Sequence, residues 1–263
     1  MNQQLRSTAR EASNHPVIEK GARLGFAISG LLHLLIAWIA LQVAWGGGGG
    51  QEADQSGALT MLAGTPAGPV LLWAAVGGFA LLALWHLTET VVGSVHSTWY
   101  ERIAAGGKAI AYAVLAWTAL RVSQRASQSG EESAQSFTGE LLGTLAGQIL
   151  VALIGLGIIG VGLFQIFQGW TERFAKYLES DPGRFVIVAG RVGYIARGVA
   201  FAVIGMLFVS AAVSDRAGEA GGLDGALRTL RDQPFGPYLL TLVALGIAAF
   251  GVFCFGRAKH AKL

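Results

Sequence analysis

The chain has 263 residues, of which 53% are hydrophobic types and only 13% are charged, about half of the roughly 25% charge of an average soluble domain. That scarcity excludes an ordinary soluble fold, and a net charge of +3 dispersed along the chain excludes a nucleic-acid partner. One cysteine, Cys254, leaves no internal disulfide and no cysteine zinc cluster, and 38 glycines without a Gly-X-Y period exclude collagen.

A bilayer core about 30 Å thick takes roughly 20 apolar residues of helix. After a polar N-terminal segment, residues 1–20, four uncharged runs approach or exceed that length: Leu24 to Trp45, Val70 to Thr88, Leu141 to Thr171 and Gln233 to Gly256. Two shorter runs, Ala109 to Leu120 and Gly198 to Ser214, reach spanning length if Lys108 and Arg197 extend their stems toward the headgroups. The expectation is an all-α membrane protein with six spans near residues 22–45, 69–95, 103–124, 147–171, 190–213 and 236–257. The first run is too long, and too far from the start, for a cleaved signal peptide, so it is expected to remain as an anchor. With both termini in the cytoplasm, fourteen of the nineteen Lys and Arg fall on the inner side and nine of the sixteen acids on the outer. This satisfies the positive-inside rule.

Self-comparison shows an internal repeat. Arg23 aligns with Arg102 and Arg191 at offsets of 79 and 168, and the same offsets carry Leu62 onto Leu141 and Leu230, Gly68 onto Gly147 and Gly236, and Gly78 onto Gly157 and Gly246. The chain therefore divides into repeat 1 (21–100), repeat 2 (101–180) and repeat 3 with a short basic tail (181–263), each a pair of helices. Pseudo-threefold symmetry is expected. In the outer loops Ser56 and Asp224 stand as N-caps of short interfacial helices, which Gly68-Pro69 and Gly236-Pro237 end while opening the next span.

The Arg-x-Gly-(Phe/Tyr) start at Arg23-Leu24-Gly25-Phe26 and Arg191-Val192-Gly193-Tyr194, with Leu-x(5)-Gly-Pro before the second helix, resembles the bacterial membrane family called domain of unknown function 1206. The resemblance spans residues 21–260 and implies a six-helix integral membrane protein, with no activity or site to transfer. The middle copy departs from the motif with Arg102-Ile103-Ala104-Ala105.

Polar residues within spans are costly and are read as functional by default. They gather toward the cytoplasmic ends, where Ser29, His33, His86, Glu89, Lys108, Tyr112, Gln165 and Arg197 outline a vestibule that can take an anionic lipid or a small anion. A continuous pore is not expected. A metal at His33 and His86 is the weaker alternative, since their spacing matches no ligand motif; otherwise no metal or cofactor is expected. Arg23, Arg102 and Arg191 serve topology and headgroup anchoring, or in a functional version an anion-binding ring. Gly78, Gly157 and Gly246 are expected at close helix contacts or hinges. With no Ser-His-Asp set, nucleotide loop or catalytic carboxylate pair, no enzyme activity is expected. Two readings remain open: a small-molecule binder or transporter of the bacterial cytoplasmic membrane, and a non-catalytic accessory subunit with a membrane-protein partner.

Overall fold

A computed structural model describes residues 16–46, 50–92, 99–124, 130–178, 182–214, 216, 219–220 and 222–260. Every element among the described residues is helical. In chain order they are α1 (Pro16–Ala44), α2 (Gln55–Ala63), α3 (Gly68–Val92), α4 (Trp99–Ser123), α5 (Gly130–Leu142) and α6 (Leu145–Trp170), a 3₁₀ turn (Arg173–Tyr177), then α7 (Arg184–Ser214), α8 (Leu223–Arg231) and α9 (Gly236–His260). Lipid offers the backbone no hydrogen bonds, so the long apolar runs close theirs within the helix.

Five helices, α1, α3, α6, α7 and α9, are long and apolar enough to cross a bilayer. The sixth expected span corresponds to α4, a 25-residue helix whose apolar stretch is broken by Lys108. The expected end of the second span at residue 95 lies outside the described residues, which follow α3 to Val92.

The short helices expected in the loops between spans form, and their starts correct the expected caps. Asp54, not Ser56, caps α2: its Oδ1 accepts from the Gly57 N–H and from the Ser56 hydroxyl, each at 2.8 Å. Asp224 is the second residue of α8, in its first turn, and the N-cap is Gly222. Its Oδ1 accepts from the Ala53 N–H at 2.8 Å and its other oxygen pairs with Arg228, so it ties the start of α8 to the segment before α2. Asp54 is buried beside Asp224; burial pushes its carboxyl above the ordinary range, partly opposed by the bonds from Gly57 and Ser56, while the charge of Asp224 adds to the rise. The middle repeat carries the 13-residue α5 in the same place.

The three repeat-equivalent glycines at the head of the second helices have a steric cause. A Cβ on Gly68 would lie 2.6 Å from the Leu62 carbonyl oxygen, and one on Gly147 or Gly236 would overlap the carbonyl of Leu141 or Arg231. In each copy the chain doubles back against the last turn of the helix before it, where only hydrogen fits.

Residue contacts divide the chain into two compact units, with the described parts of 1–29, 62–127 and 254–263 in the first and of 30–61 and 128–253 in the second. This division does not follow the repeats. In the first unit α3 packs along α4 and the start of α1, with Gly78 3.0 Å from the Gly25 backbone as measured from an added Cβ. In the second unit Gly246 abuts Ala196, and Gly193 lies against the Phe250 backbone.

Gly157 departs from the expectation placed on it. It is exposed, and a Cβ there would meet nothing within 4 Å. The reason is the partner that α6 takes, which is α7 and runs antiparallel to it. Added Cβ atoms on Gly155, Gly162 and Gly169 would lie 2.8, 2.6 and 2.8 Å from the carbonyl oxygens of Gly205, Gly198 and Arg191. Both series run at heptad spacing and form a single seam, whereas position 157 sits about 200° around the helix from 155.

Candidate functional site

The residues expected to line a vestibule form two groups, one in each unit. In the first unit His86 and Glu89 lie one turn apart on α3, with Nδ1 2.9 Å from the Glu89 Oε2. His86 is 1% exposed. Its imidazole lies flat beside the Tyr112 ring of α4, with centroids 5.5 Å apart and 3° between planes, and Tyr112 stacks in turn on Phe79 at 6.1 Å. The adjacent Trp85 ring covers another side at 4.6 Å. Lys108, one turn before Tyr112, and Arg257, near the end of α9, both act electrostatically on His86.

Two buried nitrogens in this unit, His86 Nε2 and Arg257 Nε, have no hydrogen-bond partner among the described residues. The Arg257 guanidinium lies 4.1 Å from the centroid of the Phe26 ring of α1, a contact that gives its Nε–H no acceptor oxygen. Leaving a buried polar atom unpaired costs about 1–3 kcal/mol. Ser29 is buried nearby on α1, its hydroxyl 4.0 Å from the Cys254 thiol.

In the second unit one ring gathers two of the expected residues. The Arg197 guanidinium lies 4.2 Å from the Phe250 centroid and 5.7 Å from Phe201, while His33 packs on Phe250 at 4.9 Å. Arg197 of α7 is therefore turned toward α9, and its charge rests on an aromatic face. Gln165 is buried on α6. Among the described residues no group of three His, Cys, Asp or Glu could hold a metal ion, and His33 and His86 belong to different units.

The three repeat-equivalent arginines share a job. Arg23 donates to the carbonyls of Ala258 and Lys259 at the end of α9, at 3.3 and 2.7 Å. Arg102 donates from Nε to the Thr90 carbonyl at the end of α3, at 3.0 Å. Arg191 meets Glu172 at 3.7 Å just past α6, with its guanidinium 5.5 Å from the Trp170 ring. Each cation sits at the C-terminal end of a second helix from another repeat, where the helix dipole is negative.

Arg257 is the participant that the sequence reading left out of the cluster, although a signal for it was present. The offset of 168 that relates the repeats places Arg257 at the position of Glu89 and Cys254 at that of His86. The bond from the Ala53 N–H to Asp224 had no comparable signal, because it joins a loop to the first turn of α8 across 171 positions, a separation that no repeat offset relates.

Comparison with known proteins agrees with this architecture. The family described as Domain of Unknown Function (DUF1206) matches residues 24–93, 103–172 and 192–261, one match for each helix pair. The chain is also similar to the uncharacterized protein YxxB of Bacillus subtilis (strain 168), 29% identical over 248 residues, which cover 90% of this chain and 89% of that one. No solved structure matches. With three tandem matches across most of its length, the chain belongs to the DUF1206 family of proteins of unknown function.

Proposed function

We propose that the chain is a six-span, non-enzymatic protein of the bacterial cytoplasmic membrane, with both termini inside, which binds an anionic ligand at the end of the helices where the termini lie. The reading is carried by two buried nitrogens of the first unit that have no hydrogen-bond partner among the described residues, His86 Nε2 and Arg257 Nε. Lys108 and Arg257 both act electrostatically on His86, and Arg23 and Arg102 bind helix-end carbonyls in the same unit. An anion completes such a cluster. Both nitrogens are buried in this conformation, so the ligand enters only once a covering side chain moves.

The six-span count rests on the length of α4, 25 residues or roughly 38 Å at 1.5 Å per residue, with the Lys108 stem reaching toward the headgroups. Pseudo-threefold symmetry is supported by the equivalent turns at Gly68, Gly147 and Gly236 and by the equivalent positions of the three arginines. An accessory-subunit reading draws on a different observation, the exposed Gly157 and Gly160 on the outward side of α6, where a partner helix could approach closely.

The test is thermal unfolding of the detergent-purified protein in oxyanion salts against sodium chloride of equal ionic strength, with Lys108→Gln and Arg257→Gln beside the parent. Phosphate or sulfate should raise the melting temperature of the parent above the chloride control and do so less in each variant. Equal curves in all three salts would refute anion binding, and a stoichiometric co-purifying membrane protein would favour the accessory reading.

A further inference from the structure

The junction of α2 and α8 lies within the second unit and carries two buried carboxylates. Asp54, the cap of α2, is 5% exposed, and Asp224, in the first turn of α8, is 2% exposed. The 2.8 Å bond from the Ala53 N–H to the Asp224 Oδ1 brings Asp224 to the residue beside that cap. Leu59 and Leu227, one on each short helix, are wholly buried. The offset of 168 that relates the repeats places Gly222, the N-cap of α8, at the position of Asp54. A glycine there leaves α8 without a capping carboxylate of its own, and Asp224 is bonded instead to the backbone before α2.

The two acids are answered unequally. Asp224 has Arg228 on one oxygen and the Ala53 N–H on the other. Asp54 has only neutral donors, the Gly57 N–H and the Ser56 hydroxyl, and no cation pairs with it among the described residues. Glu52, which reaches the Ser56 hydroxyl at 3.4 Å, is a third acid rather than a counter-charge. Burial chiefly, with the charge of Asp224 adding to it, raises the Asp54 carboxyl above its ordinary range. Opening the junction returns Asp54 to water and to that range. By linkage, a group that holds its proton more tightly in the closed state favours closure when protonated, so closure is strongest below the raised pKa and weakens as pH rises through it.

We infer that Asp54 and Asp224 form a proton-sensitive joint between α2 and α8, tighter when Asp54 carries a proton and looser when both carboxylates are charged. The joint couples the short helix of repeat 1 to that of repeat 3 and stands apart from the anion-binding reading above. Each pKa unit between the closed and open states is about a tenfold change in the opening equilibrium, so a change of at least about threefold is expected.

The experiment is NMR of the full chain in phosphatidylcholine nanodiscs, labelled with nitrogen-15 at alanine and glycine. Each carboxylate has its own amide reporter: the Gly57 N–H follows the titration of Asp54, and hydrogen exchange at the Ala53 N–H reads closure onto Asp224. Relative to unstructured-peptide rates at each pH, Ala53 should be at least about threefold better protected near pH 4 than near pH 7, and the gain should follow the Gly57 shift. Asp54→Asn, neutral throughout, should hold the protected level at both pH values. Protection that stays constant or falls on acidification overturns the inference, as does an Asp54→Asn protein that keeps the pH dependence of the parent. An equal gain at Gly155 and Gly162 of the α6–α7 seam would make the effect one of global stability and overturns the joint. If Asp54→Asn does not fold, Asp224→Asn removes the charge beside Asp54 and should move the Gly57 titration to lower pH; an unmoved titration overturns the inference.

Discussion

The Arg23 guanidinium donates to the Lys259 carbonyl at 2.7 Å, joining residues 236 positions apart and bringing the start of the first long helix to the end of the last. Arg23 also reaches the Ala258 carbonyl, so the unsatisfied carbonyls that end α9 receive a fixed cation. Arg102 serves α3 in the same way through Thr90. A repeated basic residue that by sequence is a topology signal thus also terminates helices.

The first prediction ranks these arginines. Arg23→Gln and Arg102→Gln each remove a charge-assisted bond to a helix-end carbonyl, a loss of about 1.5–3 kcal/mol. Arg191 is half-exposed, as is its partner Glu172, and such a pair contributes about 0–1 kcal/mol. Thermal unfolding in detergent should place Arg191→Gln nearest the parent, and a larger loss at Arg191 than at the other two would refute the capping role.

A second prediction separates the glycine seam from the glycine that the repeat offsets pick out. Gly162→Leu forces a side chain against the backbone of α7 at Gly198 and Ala202 and should cost more than about 3 kcal/mol or abolish expression. Gly157→Leu enters open space and should stay within about 0.5 kcal/mol of the parent. Comparable yields and melting temperatures for the two variants would show that the α6–α7 seam is not the stabilising contact.

The contacts of Asp54 and Asp224 give a pH prediction. Asp54 titrates above its ordinary value of 3.8 chiefly because it is buried, so its charged form costs stability at neutral pH, and the cost fades as pH falls through the raised folded pKa toward the unfolded one. Asp54→Asn keeps the acceptor for Gly57 without the charge. It should match or exceed the parent melting temperature at pH 7, with any advantage gone near about pH 4. Asp54→Ala loses the cap and about 1 kcal/mol at both pH values. If Asn is as damaging as Ala at pH 7, burial of the charge is not the governing cost.

Orientation is open to labelling, because the native Cys254 is buried and leaves a low background. Single cysteines at Gly50, Ser136 and Arg216, all exposed, should react with an impermeant maleimide from the outer side of intact cells, and one at Lys176 only after permeabilisation. The reverse pattern would place the His86 cluster outside.

By itself the sequence determined the class of the protein, the approximate bounds of the long helices and the three helix pairs. These properties depend on the length and period of apolar runs and on the absence of charge, which lipid enforces locally along the chain. It also marked most of the His86 cluster, because buried polar residues within apolar runs are conspicuous. Tertiary structure decided the partners. Gly157 and Gly155 are indistinguishable as letters, two residues apart on one helix, but only Gly155 faces the backbone of α7. Ser56 and Asp54 are both good caps, and the choice followed from where α2 could begin beside Asp224. Arg257, on a helix far from α3 in the chain, was brought within electrostatic reach of His86. Such contacts depend on rotation about helix axes and on the path of loops, which a pattern of apolar residues leaves free, since every outward face of a membrane helix can be apolar whether it meets lipid or another helix.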